Sequence, residues 1–207
     1  MSKLICVTSR TLCHSPFLPR LEAIAQAGAG AILLREKDLP LEEYTALARQ
    51  VLPLCRQAGI LCILHSHPEA ALALGADALH LPMPALRSLD GTVRARFARL
   101  GASCHSLEEA HEAQGLGCTY LTLGHIFPTS CKPGVPPRGV ELLRQVCQSV
   151  HVPVYAIGGI SPERFSAVLQ AGAAGACVMS GPMTCSDVQT YFQSFQDRAP
   201  GAERSQP

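Results

Sequence analysis

The chain has 207 residues, enough for one domain or two small ones and for a full hydrophobic core. Hydrophobic residues make up 47% and charged ones 16%, so much of it is interior, and a net charge of +1 removes the electrostatic case for nucleic acid or an anionic membrane as partner. No apolar run approaches the roughly 18 residues of a spanning helix, and the opening MSKLICVTSR reads as a first strand, not a signal peptide.

Taken in chain order, the apolar runs are LICVTS (4–9), AILLRE (31–36), LCILHS (61–66) and ALHLP (78–82). LGASCH (100–105), YLTLGHI (120–126), VPVYAIGG (152–159) and GACVMSG (175–181) follow. Most are apolar almost throughout, as expected of strands covered on both faces in a parallel sheet. Helical patterns fill the gaps. PLEEYTALARQVLPLCRQAGI carries acids in its first turn and Gly59 at its end. Ser106 and Glu109 have capping-box spacing, and Ser161 with Pro162 predicts a helix start that stops at Gly172. Ala27-Gly28, Leu74-Gly75, Leu116-Gly117 and Ala171-Gly172 read as helix ends entering the next strand.

Eight such units predict an α/β fold, a single (β/α)8 TIM barrel over residues 1–197. The competing doubly wound sheet would show a glycine-rich turn after its first strand, and VTSRTLCHSP has none. The polar tail RAPGAERSQP (198–207) is expected to be disordered. The ten cysteines stand singly, without metal or C-x-x-C spacing. Cys6, Cys62 and Cys177 fall inside apolar runs, and the set predicts reduced thiols in a cytoplasmic protein.

Barrel chemistry gathers where the strands end. Those ends hold Arg35 and Lys37, His65 and His67, His80, Ser103 and His105, His125 through Lys132, Gly158 and Gly159, and Ser180 with Gly181. Two of the chain's three lysines, Lys37 and Lys132, fall in these loops, which favours an anionic ligand. The glycine turns after the seventh and eighth runs can turn backbone N–H groups on a phosphate. An imidazole can give or take a proton, which makes His125 a candidate acid/base. His65 and His67 stand at a strand end and could serve a metal only with ligands from elsewhere in the chain. His105 and His111 are expected to be surface or cap groups, and Arg138 to open the helix after the sixth strand.

LLREKDLP, GADALHLP, GASCHSLEEA, GHIFPTSCKPGVPPRGVELL, VPVYAIGGIS and AGAAGACVMSG together resemble the thiamine phosphate synthase/TenI superfamily of small (β/α)8 barrels. The resemblance implies a barrel acting in thiamine biosynthesis, commonly as a homodimer. Synthases of the family join hydroxymethylpyrimidine diphosphate to a thiazole phosphate with a magnesium ion on the diphosphate. They hold the ion with an Asp after the third strand and another after the fourth. This chain has His65-Ser66 and Ala85 there, and Leu33 where a Gln begins the Arg-x-Lys motif. Gly124-His125, Cys131-Lys132 and the RGV sequence at 138–140 look instead like the TenI branch, the thiazole tautomerases.

The expectation is therefore an isomerase that aromatises a carboxythiazole phosphate, taking a proton from ring C2 and delivering one to the exocyclic carbon, without metal or cofactor. The resemblance makes His125 the acid/base and puts the phosphate on Gly159, Met179 backbone and Ser180. Arg35, Lys37 and Lys132 supply positive potential, and Ser103, Thr129 and Cys131 complete the substrate contacts. The alternatives are a thiamine phosphate synthase and a non-catalytic regulator that binds thiazole phosphate.

Overall fold

The computed structural model describes residues 3–198. Eight strands, β1 (Leu4–Val7), β2 (Ala31–Leu34), β3 (Leu61–His65), β4 (Ala78–Pro82), β5 (Arg99–Cys104), β6 (Tyr120–Gly124), β7 (Val154–Ile157) and β8 (Gly175–Val178), pair in sequence order. Every pairing is parallel, and β8 closes on β1 through Ile5 opposite Cys177. The expected (β/α)8 barrel is the fold.

The outer layer comprises α1 (Phe17–Gln26), α2 (Leu41–Gln57), α3 (Pro68–Ala73), α4 (Met83–Ser88), α5 (Gly91–Arg94), α6 (Leu107–Gly115), α7 (Gly139–Ser149), α8 (Pro162–Gln170), α9 (Ser180–Thr184) and α10 (Val188–Gln196). Among the described residues no helix is long and apolar enough to cross a membrane. All ten cysteines are free. The tail expected to be disordered lies, from residue 199 on, outside the described residues.

Two apolar layers explain why the strands are hydrophobic on both faces. Leu4, Ile32, Leu34, Leu64, Leu79, Leu121 and Leu123 point outward into the helices. Ile5, Val7, Leu33, Ile63, Tyr120 and Cys177 fill the lumen. Truncating one outward leucine such as Leu79, which is fully buried, should cost about 2–5 kcal/mol.

The ladders stop up to three residues before most of the apolar runs do: 4–9 pairs only over Leu4–Val7, and 175–181 only over Gly175–Val178. The surplus residues leave the sheet to begin the loops at the mouth, and these carry the polar groups. Helix punctuation follows expectation, with Gly28, Gly75, Gly117 and Gly172 all at positive φ. Two caps differ in detail. Ser106 accepts from the Glu109 N–H, while the Glu109 carboxylate reaches back to the N–H of His105 rather than to that of Ser106. Ser161 sits at the N-cap of α8 without a side-chain cap bond. Its hydroxyl turns to Glu163 instead, holding that carboxyl below its usual range.

Candidate active site at the barrel mouth

At the C-terminal ends of the strands lies a cavity of about 350 Å³, the size range of small-molecule sites. Its first wall is built from the ends of β1, β2 and β3. Buried Glu36 accepts from the Thr8 hydroxyl at 2.6 Å and from the Arg10 N–H at 3.0 Å, and the same hydroxyl receives the Arg35 N–H at 2.9 Å. The loops after β1 and β2 are thereby clamped together. Tyr44 of α2 donates its hydroxyl to Leu34 O and accepts the His65 N–H, both at 2.8 Å, which fixes where β2 and β3 end.

Arg35 and Lys37 project from this clamp into the cavity lining, and Lys132 joins them from the loop after β6. The nearby acids are already engaged: Arg10 pairs with both Glu36 and Asp38. Arg35, Lys37 and Lys132 have no ion-pair partner among the described residues, and the lining contains no Asp or Glu. Partial burial, then the fields of Arg35 and Lys132, lower the pKa of Lys37. Three cations therefore share one space with no counter-charge.

A buried polar line runs beneath them. His80 is 1% exposed, with Nδ1 2.9 Å from the Tyr120 hydroxyl and Nε2 2.9 Å from Ser103 Oγ. The Tyr120 hydroxyl has no other partner among the described residues. It uses its proton only if it donates to Nδ1, which leaves the His80 proton on Nε2, donated to Ser103. Thr122 also directs its hydroxyl at Ser103, at 3.4 Å. Ser103, accepting from both, has no acceptor for its own proton among the described residues, and it lines the cavity. Gly101 makes room for this, because a Cβ there would overlap the Tyr120 ring. Burial pushes the His80 pKa down to about 3. His65, stacked on it at 6.0 Å, is pushed down to about 2 by burial, then by His80, Arg35 and Lys37. Both rings are neutral imidazoles at ordinary pH.

The wall from β6 holds His125, only 4% exposed. Its Nε2 lies 3.1 Å from Val135 O, and since a carbonyl only accepts, Nε2 carries the proton. Neutral His125 therefore keeps Nδ1 as an acceptor; it has no partner among the described residues and is not sealed in protein. His105 Nδ1 donates to Gly124 O at 2.6 Å and so steadies the residue before His125. This corrects the expectation for His105: it lines the cavity, whereas His111 is exposed as expected. His67 turns away onto Tyr44, its ring 4.3 Å from the tyrosine ring. Arg138 stands at the N-cap of α7 and gives its N–H to His125 O at 2.8 Å.

The last wall is backbone. Gly159 has φ +66, and a Cβ on it would come within 2.5 Å of Pro128 O and 2.8 Å of Phe127 Cβ. Arg164 of α8 donates to Gly159 O at 2.8 Å while its guanidinium lies 5.0 Å from the centre of the Phe127 ring. The Gly159 N–H has no acceptor among the described residues, and Ser180 and Gly181 present first-turn amides of α9. Met179 precedes them, and Tyr191 backs Gly181 so closely that a Cβ there would overlap its ring. All ten residues expected at the site, His125, Gly159, Met179, Ser180, Arg35, Lys37, Ser103, Thr129, Cys131 and Lys132, line this one cavity. Sequence reasoning missed His105, Tyr120, Arg164 and Tyr191.

The family resemblance implies a magnesium ion, and this donor set does not suit one. A hard dication needs oxygen ligands. Ser66 follows β3 at φ 64 with its N–H on His80 O, and Ala85 packs partly buried against the core from α4. Among the described residues no three His, Cys, Asp or Glu side chains gather into a metal site.

Fold and cavity together define a (β/α)8 barrel whose mouth is lined by cations and free backbone amides. The family model for thiamine monophosphate synthase matches residues 4–181, and the chain belongs to that family. It is 36% identical over 181 residues to a thiamine-phosphate synthase of Roseiflexus sp. (strain RS-1), covering 84% of this chain and 75% of that one. Against the thiamine-phosphate synthase of Moorella thermoacetica it is 36% identical over 199 residues, 93% of either chain. Among solved structures, a thiamine phosphate pyrophosphorylase from Pyrococcus furiosus superposes with TM-score 0.82 at 31% identity, covering 95% of this chain and 94% of that one.

These similarities overturn the expectation of a thiazole tautomerase, an isomerase. Seven relatives from 33% to 37% identical carry thiamine-phosphate synthase names. The features that suggest a tautomerase are a handful of residues, whereas the likeness to synthases extends over 84% or more of the chain.

Proposed function

We propose that the chain is a transferase of the thiamine-phosphate synthase type, joining a pyrimidine carried on a diphosphate to a thiazole phosphate and releasing pyrophosphate. The observation that carries this reading is a mouth with two unlike anion-facing walls. Arg35, Lys37 and Lys132 form one, and the Gly159 and Ser180 amides form the other. A reaction between two phosphorylated substrates needs both.

In this reading the Gly159, Met179 and Ser180 backbone holds the thiazole phosphate, and the cationic wall takes the diphosphate. As the diphosphate leaves, negative charge builds on it, and fixed cations in a partly enclosed site lower the barrier by stabilising that charge. Holding both partners on one rigid rim supplies the rest through proximity. Ser103 donates to an acceptor on either substrate from its place below the cations. His125 offers Nδ1 as an acceptor that orients the thiazole, and Thr129 and Cys131 border it. His125, Cys131 and Leu33 are then departures within a synthase-type site. The ten free cysteines support a reducing, cytoplasmic setting.

The test is direct. Protein is mixed with hydroxymethylpyrimidine diphosphate and the thiazole phosphate, and chromatography follows thiamine phosphate and pyrophosphate. Equal amounts of both products are expected, and no product with both substrates saturating would sink the reading.

A further inference from the structure

The mismatch between the cationic wall and the metal expected of the family has a specific consequence. We infer that the diphosphate site of this chain binds metal-free diphosphate and that magnesium competes with the protein for it instead of assisting. The inference rests on the transferase reading for the ligand's identity but on charge and donor chemistry for its content.

The charges balance without a metal. Arg35, Lys37 and Lys132 each carry one positive charge and have no ion-pair partner among the described residues. A diphosphate monoester carries roughly two to three negative charges near neutral pH, so three cations neutralise it. Binding magnesium would reduce the ligand to about one negative charge or none, weakening its attraction to all three side chains. The ion would bring its own positive charge into their field. It would also find no carboxylate in the lining. The ring next to the cations, His65, is a neutral nitrogen donor, which a hard dication disfavours against water.

The places after β3 and β4 support the same conclusion from the fold. The Ser66 N–H is committed to His80 O at 3.0 Å, and Ala85 presents only a methyl group from α4. Neither position can be turned into a carboxylate site by a rotamer change. The compensating charge therefore has to come from the side chains of the loops after β2 and β6, which are long enough to follow a departing diphosphate.

Inorganic pyrophosphate is the probe. It is titrated calorimetrically into the full chain at matched ionic strength, once in EDTA and once with magnesium in excess over pyrophosphate. Binding in EDTA is expected, weakened about tenfold by magnesium. The Lys37→Ala/Lys132→Ala double variant should lose about 100-fold of the EDTA affinity, roughly tenfold for each lysine. Ser66→Asp combined with Ala85→Asp should convert magnesium from a competitor into an aid. Tighter binding with magnesium in the unaltered chain, or no pyrophosphate binding in EDTA, would overturn the inference. Product formation is read separately. Thiamine phosphate made only with magnesium would overturn this inference and leave the transferase reading standing. Pyrophosphate bound in EDTA without product from either mixture would remove the transferase reading and leave the cationic site.

Discussion

The two anion-facing walls of the mouth solve the same problem by opposite means. After β2 and β6, charge sits on the ends of long side chains, Lys37 and Lys132 both exposed, that adapt to the ligand. After β7 and β8 no side-chain charge faces the cavity; the donors are amides whose positions are set by Gly159 at φ +66 and by Arg164 bonded to its carbonyl. The first wall tolerates altered shape but depends on charge and salt. The second has no side-chain charge for salt to screen and no room for a single added carbon at Gly159. On the proposed transferase reading, that contrast lets one barrel rim hold a compact phosphate in a fixed place and still release a diphosphate.

The largest effect should come from the rigid wall. Gly159→Ala places a methyl group within 2.5 Å of Pro128 O in a backbone region that alanine rarely adopts. Affinity for the thiazole phosphate should fall by about 100-fold or more, while pyrophosphate binding changes little. A loss of less than threefold in calorimetry would move the phosphate elsewhere.

Next comes the adaptable wall. Lys37→Ala and Lys132→Ala should each weaken pyrophosphate binding by roughly tenfold at low salt, and the gap to the parent should shrink at 1 M salt. Salt-independent losses would mean that the lysines act through packing and not charge.

Tyr120→Phe tests the line that joins the two walls from below. Without the tyrosine proton, His80 is free to reverse its tautomer, and Ser103 loses its fixed direction as a donor. The loss of one neutral hydrogen bond predicts about a fivefold drop in kcat, against little change in KM. A Tyr120→Phe enzyme equal to the parent, with Ser103→Ala impaired, would show that Ser103 needs no such orientation.

Acid should reveal the same line through stability. His65 and His80 have folded-state pKa values near 2 and 3, below the ordinary 6.5. Below pH 6.5 the unfolded chain therefore binds more protons than the folded one, and stability falls as pH drops from 6.5 toward 3. The melting temperature should decline across that window, less steeply in His65→Leu. Equal slopes for the two proteins would show that His65 is not a neutral buried base.

The parts of this molecule that were legible in its sequence are those governed by local pattern. Runs such as ALHLP and AILLRE are hydrophobic on both faces because one face meets the lumen and the other a helix, and that requirement is written residue by residue. Glycines ending helices, and Lys37 or Ser180 just past a strand, were readable for the same reason. His105 was not. Its sequence position suits a cap, and only the pairing of β5 with β6 brings its ring to Gly124 O, 19 residues away. Tyr120 passed as one more apolar strand residue, and its partnership with His80 spans 40 residues. The branch of the family was misjudged because Ser66, Ala85 and His125 are local departures, while reaction type follows the whole rim.

Simultaneous occupation of both walls can be tested by one titration. Thiazole phosphate is added to protein already saturated with pyrophosphate, and the heat is compared with that from the free protein. The two-wall account predicts one equivalent bound in each case with similar affinity, a ternary complex. Competition, with thiazole phosphate affinity falling in proportion to added pyrophosphate, would mean a single anion site and would contradict it.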